Sequence, residues 1–353
     1  MRRMSWVGGM FVVLAAAGGC SGADDDPDSK YRADVTNGMH DALALEIADW
    51  KKAAIDLAAA APTPAGRGWD PTMDAKAISD MKEAWKRMRV AYEHIEGAIA
   101  PIFQQTDFDT DARYDDYLGE LKGAGDDNAF DGEGVTGQHA IERILYSDTI
   151  PNYVISFESK LPGYKPARFP NNETEASDFK NKLCARLVAD IEALEKEWKP
   201  AKIDLEGAYT GLVALMNEQS EKVNKAATQE EESRYAQRTL ADLHANLDGT
   251  VKIYKLFQPW IVTKANGATL DKNITAGFEG LRVAYGNTPG DAIPQPPAGW
   301  SSIKPTPQDL ESPFGKLFTA VQEAVDPEKE GSVVQEMNSA GKLLGYAGFV
   351  PES

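Results

Sequence analysis

The sequence predicts an all-α protein made of two antiparallel helical bundles packed together, and three observations predict it. Apolar residues recur at helical rather than alternating spacing almost throughout the 353 residues. β-branched runs bounded by turns, the mark of strands, are nearly absent. Proline and glycine gather in a few clusters that cut the periodic stretches into helix-sized pieces.

At the N-terminus, Arg2 and Arg3 precede an apolar run from Trp6 to Ala17 and the small pair Gly18-Gly19. Residues 1–19 therefore read as a secretory signal. The run is shorter than the ~20 apolar residues a spanning helix needs. Cys20 after Ala-Gly-Gly resembles the lipobox of bacterial lipoproteins, although Ala17 stands where leucine is commoner. That resemblance implies acylation of Cys20 and anchoring to a membrane; Ser21, rather than an aspartate, suits the outer membrane. The alternative is an ordinary signal peptide cleaved nearby. Residues 20–34 are small and acidic with nothing to bury, so they are expected to be a solvated tether, with folded structure starting near Val35. Cys184 is the only other cysteine, so no intramolecular disulfide is expected and stability must come from apolar burial.

The first bundle is expected over 35–165, with helices at about 37–60, 75–103, 110–122 and 134–147. Pro62-Thr63-Pro64-Ala65-Gly66 and the Gly/Asp-rich 123–134 separate them. A Pro/Gly cluster at 161–172 opens the second bundle, over 166–353, with helices at about 173–198, 204–227, 232–263, 269–285, 307–325 and 329–346. Between 269–285 and 307–325 lies 286–307, where Pro289, Pro294, Pro296, Pro297, Pro305 and Pro307 exclude a helix and predict a long ordered loop.

The net charge is −18. Such a field repels nucleic acid and anionic polymers and favours cations, although acidity also serves plain solubility. More specific are charges that break the apolar faces. Trp85, Met88, Tyr92, Ile95, Ile99 and Phe103 form one stripe at 100° per residue; Glu96 falls inside it and Glu93 at its border, while His94 lands on the opposite, solvated face. Over 135–146, Val135, His139, Glu142 and Tyr146 share a face bordered by Ile141 and Leu145, so a histidine and a carboxylate at i, i+3 project inward together. Buried ionised groups are costly unless paired, hydrogen-bonded or bound to metal. Two readings follow: a satisfied polar network neutralised by Arg89 or Arg143, or a carboxylate–histidine metal site of the kind helical bundles build on facing helices. One imidazole with several carboxylates and no nearby thiolate suits iron, manganese or zinc better than copper(I), and calcium prefers an all-oxygen shell.

Around these residues the sequence resembles the imelysin-type family, which includes the EfeO and EfeM periplasmic iron-uptake proteins. Gly137-Gln138-His139-Ala140-Ile141-Glu142 matches its Gly-x-His-x-x-Glu motif. Trp85, Arg89, Tyr92-Glu93-x-Ile95-Glu96 and Asp111-x-Arg113 resemble its upstream pieces. Arg234-Tyr235, Leu240-x-Asp242-Leu243-x-Ala245-Asn246-Leu247-Asp248-Gly249, Tyr254 and Pro259 resemble its downstream segment. The likeness runs from about 40 to 265 and fades beyond. Gln237 and Thr239 depart from the usual His and Asp. The resemblance implies two helical bundles and a metal site of His139, Glu142, Glu93, Glu96 and Asp111. It also implies iron, ferrous or ferric, as the ion, with zinc as the alternative. The partners implied are the membrane, through its lipid anchor, with an inner-membrane iron permease and a haem peroxidase. No strand-rich segment stands for the cupredoxin domain of EfeO, so the chain resembles the shorter EfeM form.

Three functions are consistent with this. One is a periplasmic iron-binding lipoprotein without catalytic activity that delivers its ion to a permease. Another is an imelysin-type zinc peptidase, poorly supported because His-Glu-x-x-His is absent and Arg143 stands where an inverted motif needs its second histidine. A third is a polysaccharide-binding envelope module, with the aromatic segment Tyr254 to Trp260 lining a sugar site, although at helical spacing such residues more often form core.

Overall fold

The computed structural model describes residues 26–121 and 128–351. The expected signal, Cys20 and the first part of the expected tether, to residue 25, lie outside the described residues. Those described form an all-α protein, with helices α1 (Ser29–Ala60), α2 (Ala75–Glu93), α3 (Glu96–Ile99), α4 (Gln104–Asp111), α5 (Tyr114–Glu120), α6 (Gly137–Leu145), α7 (Asn152–Glu158), α8 (Glu173–Asp178), α9 (Cys184–Trp198), α10 (Leu205–Ala226), α11 (Thr239–Ile261), α12 (Gly267–Gly286), α13 (Pro307–Leu310), α14 (Pro313–Val325) and α15 (Val333–Leu343). No helix among them is long and apolar enough to cross a membrane.

Local chemistry explains several boundaries. The side chains of Asn172, Thr306, Ser312 and Ser332 each accept a hydrogen bond from the backbone N–H three residues on, capping α8, α13, α14 and α15. Pro307 and Pro313 occupy first-turn positions, where a missing N–H costs nothing. α8 and α9 join through a π-helical turn, Phe179–Leu183, that keeps both its end residues buried.

Helix α1 begins six residues before the expected start of folding at Val35. Its first turn is tied down by Lys264 on Asp28 at 2.5 Å and by the Arg32 guanidinium, which lies 5.8 Å from the Trp260 ring centre. Val35, Met39, Leu43, Ile47, Trp50 and Leu57 then form a buried stripe at three- and four-residue spacing. This stripe faces α2, α9 and α11. The expected division near 165 is not a packing boundary, because α9 lies beyond it yet packs on α1, α4 and α6. α11 spans the molecule, touching α1, α2 and α3 on one side and α10 and α12 on the other. In the 287–306 loop Ile293 is buried, and Trp300 stacks edge-on against Phe314 and Phe318. Cys184 is buried as a free thiol.

Candidate metal centre

Polar side chains converge where α2, α3, α4, α6, α10 and α11 meet. α2 brings Arg89 and Glu93, one turn apart and both buried. The single helix expected over 75–103 is broken: α2 stops at Glu93, the chain turns through His94 and Ile95, and α3 restarts with Glu96. Gly249 permits the break to lie against α11, since a Cβ there would stand 2.2 Å from the His94 carbonyl oxygen. Asn246, three residues earlier on α11, donates to the carboxylates of both Glu93 and Glu96, the latter at 2.8 Å. His94 does point away from the centre but is only 25% exposed, because its Nδ1 meets the Glu46 carboxylate at 3.1 Å.

α6 starts at Gly137, whose φ of +82° and backbone contact with Thr110, 2.6 Å from an added Cβ, exclude other residues. This contact docks α6 on the end of α4 and brings His139 to Asp111, with Nε2 3.4 Å from Oδ1. Gln138 donates to the same Asp111 oxygen at 3.2 Å and is itself held by the Trp50 indole N–H. His139 Nδ1 lies 2.7 Å from Glu142 Oε2, and the other Glu142 oxygen accepts the N–H groups of Tyr235 and Ala236 at 3.0 and 2.8 Å. Both Glu142 oxygens are therefore engaged, so this carboxylate fixes the imidazole's tautomer and aim. The Nε2 it aims is fully buried and has no hydrogen-bond partner.

The segment 227–238, expected to turn helical at 232, stays irregular until Thr239, with Gln229 and Gln237 at φ of +69° and +56°. Arg113 donates to the Glu230 carbonyl at 3.2 Å, buried Arg234 pairs with Asp115, and Tyr235 donates to Glu158. These clasps carry Glu232 into the centre, and Ser233 donates to Asp242 from the first turn of α11. Glu232 and Asp242 were not among the predicted ligands, nor was Lys222 of α10, whose ammonium meets Glu232 at 2.9 Å and Glu96 at 3.2 Å.

The result is two overlapping carboxylate trios. Oxygens of Glu93, Glu232 and Asp242 lie within 4.8 Å of one another, as do those of Glu96, Asp111 and Glu232. Arg89 pairs with Glu93 and Asp111 and stands 3.5 Å from Asp242. Of the predicted residues, Glu93, Glu96 and Asp111 enter the trios, whereas His139 and Glu142 stand beside Asp111 outside them. Counting Glu142, six carboxylates share Arg89, Lys222 and one imidazole, a surplus of buried negative charge.

Proton affinities record this imbalance. Burial pushes Asp242 up to about 6 against the pull of Arg89, and burial also raises Glu96. Asp111 is held well below the ordinary range despite burial, by Arg89 and His139, and Glu232 is held down by Lys222. Burial and Arg89 disfavour a charged His139, yet the neighbouring carboxylates of Asp111 and Glu142 outweigh them and lift it to about 9. Glu232 Oε2 also lacks a hydrogen-bond partner. A cation among Glu96, Asp111 and Glu232 would satisfy the Glu232 oxygen and relieve the surplus; His139 belongs to neither trio and borders this one through Asp111, an oxygen-rich donor set with one imidazole at its edge that suits iron, manganese or zinc.

A family model described as imelysin matches residues 38–306. The chain is 28% identical over 198 residues to the iron uptake system component EfeM of Pseudomonas syringae pv. syringae (strain B728a), covering 56% of this chain and 55% of that protein. It is 28% identical over 213 residues to the iron uptake system component EfeO of Escherichia coli (strain K12), covering 60% of this chain and 46% of that protein. The chain thus spans about half the length of the curated relatives it matches. The crystal structure of an imelysin-like protein from Psychrobacter arcticum 273-4 has the same fold, with a TM-score of 0.56 at 13% identity over 90% of this chain and 96% of that one.

Proposed function

This chain belongs to the imelysin family, and from that premise we propose that it is a cell-envelope protein that binds iron, ferrous or ferric, and delivers it to an inner-membrane permease. The observation that carries the reading is the buried carboxylate surplus beside an imidazole nitrogen that makes no hydrogen bond. Such a centre is costly without a cation and selective for one that prefers oxygen and imidazole donors. His139, Asp111, Glu96 and Glu232 supply ligands in this reading, Glu93 and Asp242 the inner wall, and Glu142 the orientation of His139. Relatives named as iron uptake components support iron over manganese or zinc. Acylation of Cys20 would tether the protein to a membrane, the outer one in the reading Ser21 favours, from which it would serve the permease and a haem peroxidase across the periplasm.

The reading assigns no catalytic role. Arg143, which stands where an inverted zinc-peptidase motif needs histidine, is bound to Glu158 at 3.1 Å and to the Lys165 carbonyl at 2.6 Å, and its guanidinium lies 3.8 Å from the Tyr114 ring centre. Nor do Phe257 and Trp260 offer a sugar platform, since both are buried in the core. Elemental analysis of the purified protein after exposure to competing iron, zinc, manganese and copper tests the reading. Iron retained by the wild type and lost from folded Glu232→Gln is expected; equal retention by both would remove the site assignment.

A further inference from the structure

Each carboxylate trio has a side-chain cation lodged on it, and the two cations differ in what they can do. Arg89 is locked: its side chain is 1% exposed, it is charged at every accessible pH, and it grips Glu93 and Asp111 from a helix buried on that face. Lys222 reaches in from the far end of α10. Its ammonium has an all-oxygen shell, with Glu232 Oε1 at 2.9 Å, Asn246 Oδ1 at 3.1 Å, Glu96 at 3.2 and 3.3 Å and Glu93 Oε2 at 3.8 Å.

The surroundings are graded in the same sense. Around Arg89, Glu93 and Asp242 are 0% and 2% exposed. Around Lys222, Glu96 and Glu232 are each 12% exposed, and Asp111 beside them is 14% exposed. The outer trio is therefore the one that solvent cations reach first, and the group occupying it is the one that can withdraw. A lysine head sits on four flexible carbons and bonds as a compact point charge, without the rigid fork that locks arginine to carboxylate. Glu218, one turn back on α10, lies within electrostatic reach of the ammonium and is partly exposed.

We infer that Lys222 is a tethered stand-in for the metal ion, holding Glu96 and Glu232 together in the metal-free protein and leaving them when the ion arrives. The inference rests on the proposed site, because it takes Glu96, Asp111, Glu232 and His139 as the residues that receive the ion. Its function is to set affinity. A built-in competitor keeps the carboxylates gathered, so the site does not fly apart when empty, and it lowers the net gain from binding, which suits a protein that must give its ion up. No ligand need change to achieve this; the tether holds the competing charge permanently at high local concentration.

The test is calorimetric titration of the full chain with Mn2+, and with Fe2+ under exclusion of oxygen, for wild type, Lys222→Met and Lys222→Arg, with thermal melts of the metal-free forms. Lys222→Met removes the competitor and is expected to bind roughly tenfold tighter or more at unchanged stoichiometry, from a metal-free form that melts lower. Lys222→Arg keeps the charge with a firmer grip and is expected to bind roughly tenfold weaker or more. If Lys222 only props the carboxylates in place, Lys222→Met binds no tighter than wild type, and that result overturns the inference. Should Lys222→Met not fold, the arginine variant still decides, since unchanged or tighter binding overturns it equally. A wild type that takes up no ion overturns the proposed site as well; a wild type that binds one ion while the variants fail to diverge overturns this inference alone.

Discussion

Glu142 and Glu232 are both glutamates drawn into the centre, and their hydrogen bonds separate their roles. Glu142 spends both oxygens on His139 and on two backbone N–H groups. Glu142→Gln is therefore expected to weaken metal binding by roughly 10–100-fold, the cost of losing an outer partner, while one ion per chain still binds. Glu232 belongs to both trios, so Glu232→Gln is expected to abolish binding; titration calorimetry distinguishes the two variants. Protonation gives a second check. His139 is raised from 6.5 to about 9, so its contribution to folding stability is complete below about 6.5 and is lost as pH rises through about 9. The groups facing it are Asp111, Glu142 and Arg89. Metal uptake runs the other way, because Nε2 must shed its proton to bind an ion. The metal-free melting temperature is expected to fall between pH 6.5 and 9 while Mn2+ affinity climbs, and His139→Gln is expected to flatten both slopes; melts and titrations at three pH values would show it. His139, Glu142, Glu93 and Glu96 were legible because each interrupts an apolar helical stripe. Glu232 was not, since a Glu-Glu-Glu run at 230–232 reads as a solvated face and nothing nearby in sequence marks its last position as inward.

Helix breaks, more than helices, build the centre. The turn at His94 and Ile95 separates Glu93 from Glu96, and the irregular 227–238 segment delivers Glu232. Neither break contains proline or glycine, so the sequence predicted continuous helix through the first and only a short gap, at 228–231, in place of the second. Their causes lie elsewhere in the chain: Gly249 admits the His94 backbone against α11, and Arg113, Asp115 and Glu158 clasp the later segment. The long-range partners that create these bends are invisible to any local pattern. The start of α6 is the opposite case, since Gly137 was legible in the motif and its positive φ with the Thr110 contact explains it. Gly137→Ala is expected to destabilise the fold by about 1–3 kcal/mol through backbone strain and overpacking. It would also loosen His139 from Asp111; urea unfolding and metal titration of the same preparation measure both effects. Arg234→Ala is expected to free the 227–238 segment, raising its amide exchange and weakening metal binding while α12, α14 and α15 keep their protection.

On the scale of the whole molecule, the all-α class was readable from spacing alone, whereas the joining of its halves was not. α9 packs with the first half of the chain and α11 bridges both, so the centre draws its side chains from residues 89 to 246 and cannot be assigned to one expected bundle. Metal binding should therefore stabilise the protein as a unit, with a single melting transition that shifts upward as free ion rises above its dissociation constant. The −18 net charge draws cations toward that centre and weakens as salt screens it, so association should slow at higher ionic strength. The central claim, that this buried acidic cluster is a cation site, is tested most directly by crystals of the full chain grown with Fe2+ or Mn2+ and measured at the metal's absorption edge. The account expects one anomalous peak within coordination distance of Glu96, Asp111, Glu232 and His139 Nε2, absent from Glu232→Gln crystals. A fully loaded protein whose peak lies elsewhere, with Arg89 and Lys222 still closing both trios, would contradict it.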